Sequence, residues 1–567
     1  MLWWLLIASV VVRVVGITYG LPLDLVADES SLIFGAAAML QLKTLIPASN
    51  PEGFAHLHYP PLIPYLNLLV FVPVLALRYL AGGFSSIAAF KEYLVAHPEV
   101  YWVPARLLQV AFGTATVWLV AKIGQLLAGR RAGLLAAAFL AFSFNHVVLS
   151  HLARQWILLV FFMTLIVYLG LAGPLRMSRM ALLGALCGLA FGGNVVGLLC
   201  WPLVLGLFAY RHRREGLRLA LDRRLWVSAV TALAVAAGFI ALHWPYFAWL
   251  FTQGMGSNVT WMVPKSLGGY GVAFMFAAKV LLNQETMPVL FGILGSVVLM
   301  ARRAYAPVIG ALAWTVAYVT FLYTSAYMAS RFLVPLVPPL CLFAGFGLDW
   351  LVGRLQPARP SLARALVGGV LLVSLVPVVR VDWLLSQPDT RLLAKAWVEE
   401  HADGTVLLFN SGTSGVHVQR TRDALVAQER YGTLGLGEAA RLERLIAGRI
   451  PDRGLFAVNI QGWDPHHQTL ETVREFLARY GRPDQPVYFV ATYTTPDRLT
   501  ELDRALMRQG RLVKRFDNGF GPVAIGYDST EPVTVLFRLA RLGTVVDIYQ
   551  LHDTPHAVAK GGNGGIP

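Results

Sequence analysis

In the stretch LVADESSLIF, residues 25–34, an aspartate and a glutamate stand side by side between apolar runs. Asp28 admits two readings. As a helix cap, its carboxylate accepts from the amides of Ser30 or Ser31 at the start of ESSLIFGAAAML. As a partly desolvated carboxylate at a membrane boundary, it is able to remove a proton from a hydroxyl. Glu29 is the second candidate acid, and successive helical positions point about 100° apart, so the two acids do not share one job. Further along, SNPEGFAHLHYPPLIPYLNLL (49–69) sets His56, His58 and Tyr59 beside a double proline that fixes an extended stretch before an apolar helix. A helix approach needs only the prolines; the imidazoles and the phenol add groups that carry protons or hydrogen-bond. Arg106, Arg154 and Arg331 stand in RLLQVAFGTATVWLV, SHLARQW and RFLVPLVPPL. Singly, each is an arginine that snorkels at a helix end. Converging on one face, they form a phosphate site, because guanidinium keeps its charge and forks onto phosphate oxygens. His243, in LHWPYF, ends another apolar run and is placed to join them.

The elements that must position these residues are membrane helices. Hydrophobic residues make up 56% of the 567 and charged residues 14%, and mean hydropathy is +0.59, well outside the soluble globular range. A bilayer core takes roughly 20 apolar residues per helix. About eleven stretches qualify, near 1–20, 101–126, 131–149, 156–174, 180–193, 195–210, 225–246, 286–301, 305–326, 331–352 and 364–383. The first lacks a basic leader and a small-residue cleavage site, and reads as a retained span. Basic residues punctuate alternate short loops: Arg130 and Arg131, Arg176 and Arg179, the run 211–224, Arg302 and Arg303, and Arg354, Arg359 and Arg364. The positive-inside rule makes those loops cytoplasmic. Residues 21–100 then form one long outer loop, in which PLIPYLNLLVFVPVLALRYL reads as a helix in or dipping into the interface. Other outer loops fall at about 150–155 and at 247–285, the latter with Trp261, Lys265, Tyr270 and Gln284.

After residue 383 charges become frequent and apolar runs shorten to strand length. Residues 384–567 read as a soluble α/β sandwich on the outer face, large enough for its own core. TVLLF, LFAVNI, VYFVAT, RLVKRF and VAIGYD are its expected strands, with helices at 391–401 and near 417–430, 437–448 and 496–509, and a disordered tail KGGNGGIP. The fold class is thus a multi-pass α-helical membrane domain, 1–383, with a C-terminal α/β domain. The net charge of +15 is scattered, with no basic stripe interleaved with aromatics, so nucleic acid is not a partner. Cys187, Cys200 and Cys341 lie inside apolar segments, which removes disulfide and thiolate-metal chemistry.

The order of the pieces carries a resemblance: a first span, an acidic pair, a PPL element, a span opened by arginine, a GRR turn with AGLLAAAFLAFS, and late in the membrane part ASRFLVPLVPPL. Over roughly 1–170 and 329–345 this resembles the GT-C superfamily of polyprenyl-phosphate-sugar-dependent glycosyltransferases, and within it the protein O-mannosyltransferases and the lipid A aminoarabinose transferase. The resemblance implies Asp28 as catalytic base with Glu29 beside it. It also implies Arg106 at the opening of the second span, and His58 and Tyr59 before the PPL element as phosphate contacts. It departs in the second outer loop, where many members carry an acid and this chain has Arg154-Gln155-Trp156. That loss argues against a bound divalent metal, although the cofactor question stays open. The implied partners are a polyprenyl-phosphate-linked sugar, a protein, lipid or glycan acceptor, and the plasma-membrane bilayer. Arg106, Arg331, Arg154 and His243 would supply the counter-charge.

Two other functions compete. A transporter or flippase for lipid-linked or small polar substrates needs ionisable groups deep in several spans, yet apart from Arg13 the charges cluster at helix ends. A membrane-anchored binding or assembly protein would leave Asp28 dispensable.

Overall fold

A long apolar run in a bilayer becomes a helix, because only a helix or a closed barrel satisfies every backbone N–H and C=O internally. The computed structural model of the chain is built on that rule and describes residues 1–22, 25–26, 28–54, 56–212, 221–254, 266–325, 328–410, 415–432, 438–449, 454–481, 485–520 and 530–552. Six helices among these are long and apolar enough to cross a membrane: Leu62–Ala81, Glu99–Ala128, Arg223–Leu242, Tyr305–Thr324, Ser330–Leu355 and the run from Pro360. Two bent pairs, Arg130–Ala141 with Phe144–Ser150 (58°) and Leu267–Gln284 with Thr286–Ala301 (111°), raise the number to eight if each is one span. Leu2–Val14, Gln155–Leu171, Met177–Gly193 and Val195–Arg211 are shorter apolar helices. Helix falls on all eleven expected stretches, while length and apolarity license six to eight spans.

Two stretches differ from expectation. Leu62–Ala81, expected in the interface, is a 20-residue helix with the length to span. Leu267–Gln284 is an 18-residue helix inside what reads as a loop; its three glycines and Lys279 dilute the apolar signal, and Ser266 caps it by accepting from the Gly269 amide. Trp261 and Lys265 of that loop, like Gly412 to Ser414, the stretch VAIGYD and the C-terminal tail, lie outside the described residues. The basic turns meet in pairs. Arg131 pairs with Asp349 and donates to Gln356 Oε1 at 2.7 Å, and Arg211 donates to the carbonyls of Leu171 and Gly173. Midway, Thr286–Ala301 and Val337–Leu355 approach backbone to backbone. A Cβ on Gly295 would stand 2.0 Å from the Phe343 carbonyl oxygen, so only glycine permits the contact.

The first long loop is anchored by one buried ion pair. Glu29, at the start of the Glu29–Gln41 helix, receives Arg106 Nε at 2.9 Å and Nη2 at 2.6 Å, and the Ala153 amide at 2.6 Å. Arg106 Nη1 also donates to the carbonyls of Ile17 and Tyr19, at 2.7 and 2.8 Å. The exit of the Leu2–Val14 helix, the first-loop helix, the Glu99–Ala128 helix and the turn before Gln155 are therefore tied at one point. Asn67 Nδ2 bonds the Leu32 carbonyl and holds the Leu62–Ala81 helix alongside.

The C-terminal region is a three-layer sandwich. Its sheet has the order β2-β1-β3-β5-β4, from β1 (Val406–Asn410), β2 (Phe456–Asn459), β3 (Val487–Tyr493), β4 (Gly510–Phe516) and β5 (Val545–Leu551). β1 is parallel to β2 and β3, while β5 is antiparallel to β3 and β4. Alternate residues of β1 serve opposite faces. Val406 and Leu408 pack with Ala424, Phe476 and Leu506, and Leu407 and Phe409 pack with Ala394 and Val398. Four expected strands are thus present. β5 and the Leu470–Tyr480 helix were not foreseen. In β5 a central aspartate interrupts the apolar pattern, and that Asp547 is buried because Arg515 and Tyr493 bind it.

This region is not packed apart from the rest. Leu442, Leu445 and Ile446 of the Glu438–Ala447 helix share a core with Ile33, Phe34 and Ala36–Ala38 of the first-loop helix. Arg449 bridges Glu443, at 2.9 Å, to Glu92, at 2.6 Å. Tyr19 donates to Asp389 Oδ2 at 2.6 Å, a second tie.

Two outcomes are expected. Glu29→Gln leaves Arg106 buried without its counter-charge and destabilises the protein by about 3–5 kcal/mol, read as a lower melting temperature in detergent; an unchanged melting point would show the clasp to be dispensable. Leu445→Asp places a charge in the shared core and undocks the Glu438–Ala447 helix, read as new protease cleavage around 430–450 in the intact chain.

Candidate active site

The two acids of the opening stretch part company. Glu29 is fully buried (0% exposed) against Arg106 (1%), and is committed to the clasp. Asp28, one residue earlier, sits at φ 73°, the left-handed region that an aspartate tolerates better than most residues. It occupies the cap position, yet its carboxylate makes no capping bond. The capping expectation fails for a geometric reason: the left-handed backbone turns the side chain away from the helix start. The carboxylate instead meets Arg154 Nη2 at 2.5 Å. Arg154 is buried (1%), whereas the Asp28 side chain keeps 37% exposure, so a ligand is able to reach it. The adjacent acids are answered by adjacent residues, because the Ala153 amide holds Glu29 and the Arg154 side chain holds Asp28.

Tyr59 completes the immediate surroundings. Its hydroxyl is hydrogen-bonded to Asp28, and it lies within the fields of Arg154 and Arg331. Burial, together with the charge and hydrogen bond of Asp28, keeps the phenol protonated well above its ordinary range, against the pull of the two arginines. His58 lies between Asp28 and Arg441. Displacement of water by the surrounding loop lowers its pKa, Arg441 lowers it further and Asp28 opposes, although the ring keeps an exposed edge. His56 is pushed down to about 4 by burial and by Arg441, His58 and Arg444. Both imidazoles are thus neutral at pH 7.

Arg331 belongs to the Ser330–Leu336 turn and is buried, with its guanidinium 4.8 Å over the Phe332 ring. That ring is in turn 4.9 Å from Trp156, which follows Arg154 by two residues. Arg106 and His243 do not join the cluster. Arg106 makes four hydrogen bonds within the clasp. His243 Nε2 is 2.6 Å from the Tyr65 hydroxyl, which is also 2.7 Å from the Leu45 carbonyl. A carbonyl only accepts, so the single phenolic proton goes to Leu45 and His243 Nε2 is the donor. His243 therefore pins the 45–65 loop.

Two residues at the site escaped the sequence. Tyr246 is buried, and its hydroxyl, near Tyr59, has no hydrogen-bond partner among the described residues. Pro-Tyr steps and aromatic clusters are common at helix ends, so nothing marked it out. Arg441 arrives on a helix nearly 400 positions away in the chain, which no local pattern reveals. The arrangement as a whole offers one solvent-reachable carboxylate, two buried guanidinium groups, a protonated phenol and neutral imidazoles. Among the described residues, the three-membered group of His and Asp side chains close enough to share a metal ion is Asp464, His466 and His467, in the C-terminal region.

No protein-family model and no curated protein matches the chain. Solved structures match by fold. Over 96% of this chain and 97% of its own, the crystal structure of ArnT from Cupriavidus metallidurans in the apo state superposes with a TM-score of 0.50 at 15% identity. The same protein bound to undecaprenyl phosphate gives 0.48 at 16% over the same shares. The Archaeoglobus fulgidus oligosaccharyltransferase in complex with Zn and sulfate gives 0.49 at 13%, over 87% of this chain and 67% of that one. ArnT is a lipid A aminoarabinose transferase of the GT-C glycosyltransferases. At such identity the likeness to apo ArnT is one of architecture, and in architecture the chain has the GT-C fold.

Proposed function

We propose that the chain is a membrane glycosyltransferase that moves a sugar from a polyprenyl-phosphate donor to an acceptor at the outer membrane face, with inversion at the anomeric carbon and Asp28 as base. The observation that carries this reading is the state of the Asp28 carboxylate: released from the helix start, oriented by Arg154 and Tyr59, and still open to solvent. The architecture shared with ArnT supports a donor of this class. In this reading residues 1–383 are the catalytic membrane domain, and 384–567 an extracytoplasmic α/β domain. The acceptor is a protein, lipid or glycan.

The chemistry follows from the charges. The acceptor O–H gives its proton to an Asp28 oxygen as the acceptor oxygen bonds the anomeric carbon. The bond from that carbon to the phosphate oxygen breaks, and the polyprenyl phosphate leaves with the electron pair. Arg331 and Arg154 face the negative charge that develops on the leaving group, in a setting dry enough to strengthen their effect. A phosphate leaves as a stable anion, so no separate acid is needed. Tyr59, protonated, donates to Asp28 or to a donor oxygen, and His58 is the neighbouring neutral contact. Glu29 and Arg106 act as positioning residues, since neither has an open face toward a substrate, and His243 acts through the loop it pins.

Purified full-length protein supplied with synthetic polyprenyl-phosphate sugars and candidate acceptors tests this reading. Asp28→Asn is expected to fold and bind donor but to lose turnover by about 100-fold or more, the scale of a positioned base; full activity would sink the assignment. Arg331→Ala is expected to lower kcat by about 100-fold with a smaller change in KM, because its charge matters most as the phosphate departs. A rise in KM alone would move Arg331 to ground-state donor binding.

A further inference from the structure

Far along the chain from these residues, the segment Trp463-Asp464-Pro465-His466-His467 forms a short turn on the C-terminal region. We infer that Asp464, His466 and His467 form a binding site for a divalent cation of the zinc class. One ligating atom from each of the three lies within 4.8 Å of the others. The two imidazole rings are 4.0 Å apart, centroid to centroid. Asp464 occupies the cap position of the Pro465–His467 turn, where an aspartate ordinarily spends its carboxylate on a backbone amide. Here it makes no such bond.

The turn is also fixed in the way metal-binding histidines are. His467 Nδ1 stands 3.0 Å from the Tyr431 carbonyl. A carbonyl only accepts, so the proton is on Nδ1 and the lone pair of Nε2 is free to bind a cation. The same carbonyl accepts the Asp464 amide at 2.8 Å, which ties the first and last ligand to one atom. Tyr431 in turn stacks on the buried Trp463, ring centroids 5.0 Å apart, and Gln468 Nε2 holds the Trp463 carbonyl at 2.8 Å. The ligands are thus set by a rigid support.

Two imidazoles and one carboxylate select zinc and its neighbours, cobalt and nickel, over magnesium and calcium, which favour all-oxygen shells. Asp464 and His466 are exposed and His467 half-buried. A fourth position is therefore left to water or an incoming ligand, and exchange with the medium is open.

The test uses the full-length chain in detergent with any histidine tag removed. Zinc titration by calorimetry should show one saturable site, and cobalt should give a d–d absorption band that zinc abolishes. Asp464→Asn and His466→Ala should each weaken zinc affinity about tenfold or more, with the metal-free melting temperature unchanged. Magnesium at millimolar concentration should not compete. Absence of saturable uptake, uptake unaffected by both substitutions, or displacement by magnesium would each overturn the assignment.

Discussion

A carboxylate and a guanidinium taken out of water together cost several kcal/mol per ion unless close geometry and further hydrogen bonds offset the loss. Glu29 and Arg106 meet that condition with a two-point contact, the Ala153 amide on one side and the carbonyls of Ile17 and Tyr19 on the other. Every hydrogen bond in the set joins segments that are distant in sequence, and three of the five end on Glu29, in the first turn of the Glu29–Gln41 helix. The position of that turn fixes where Asp28 stands. A buried pair of this kind contributes specificity of arrangement more than net stability, which suits a point where four segments must agree.

Around that fixed point the charges are divided by burial. The pair that is sealed holds the fold, and the pair one residue along, Asp28 with Arg154, keeps one member in contact with solvent. The left-handed backbone at Asp28 makes the division work, because it denies the carboxylate its ordinary role at a helix start and turns it toward Tyr59 and Arg154. Strained backbone of this sort persists where surrounding structure over-determines it, and the clasp next door does so. Arg331, held against Phe332, adds a second buried cation without being bound into the clasp.

Much of this was legible in the residues. The apolar runs gave the helices, the acid pair, the double proline and the three arginines were each visible, and four of the five strands stood out by composition. The partition of roles was not legible, since which acid pairs with which arginine depends on contacts 77 and 126 positions apart. Asp547 hid a strand because the charge that neutralises it comes from a neighbouring strand rather than from its own sequence. Leu267–Gln284 hid a helix behind glycines. A helix near 437–448 was readable, but not that its partner is the first long loop.

That last contact has a consequence for how the protein is made. The apolar face of the Glu29–Gln41 helix, with Ile33, Phe34 and Ala36–Ala38, is covered in part by residues that leave the ribosome some 400 positions later. Chains fold from the N-terminus as they emerge. Throughout synthesis of the membrane helices, therefore, this first-loop surface waits uncovered, and the surroundings of Asp28 lack Arg441 until some 400 further residues have been made. Assembly of the site thereby waits for the Glu438–Ala447 helix, and a product truncated before it retains Asp28 but not Arg441.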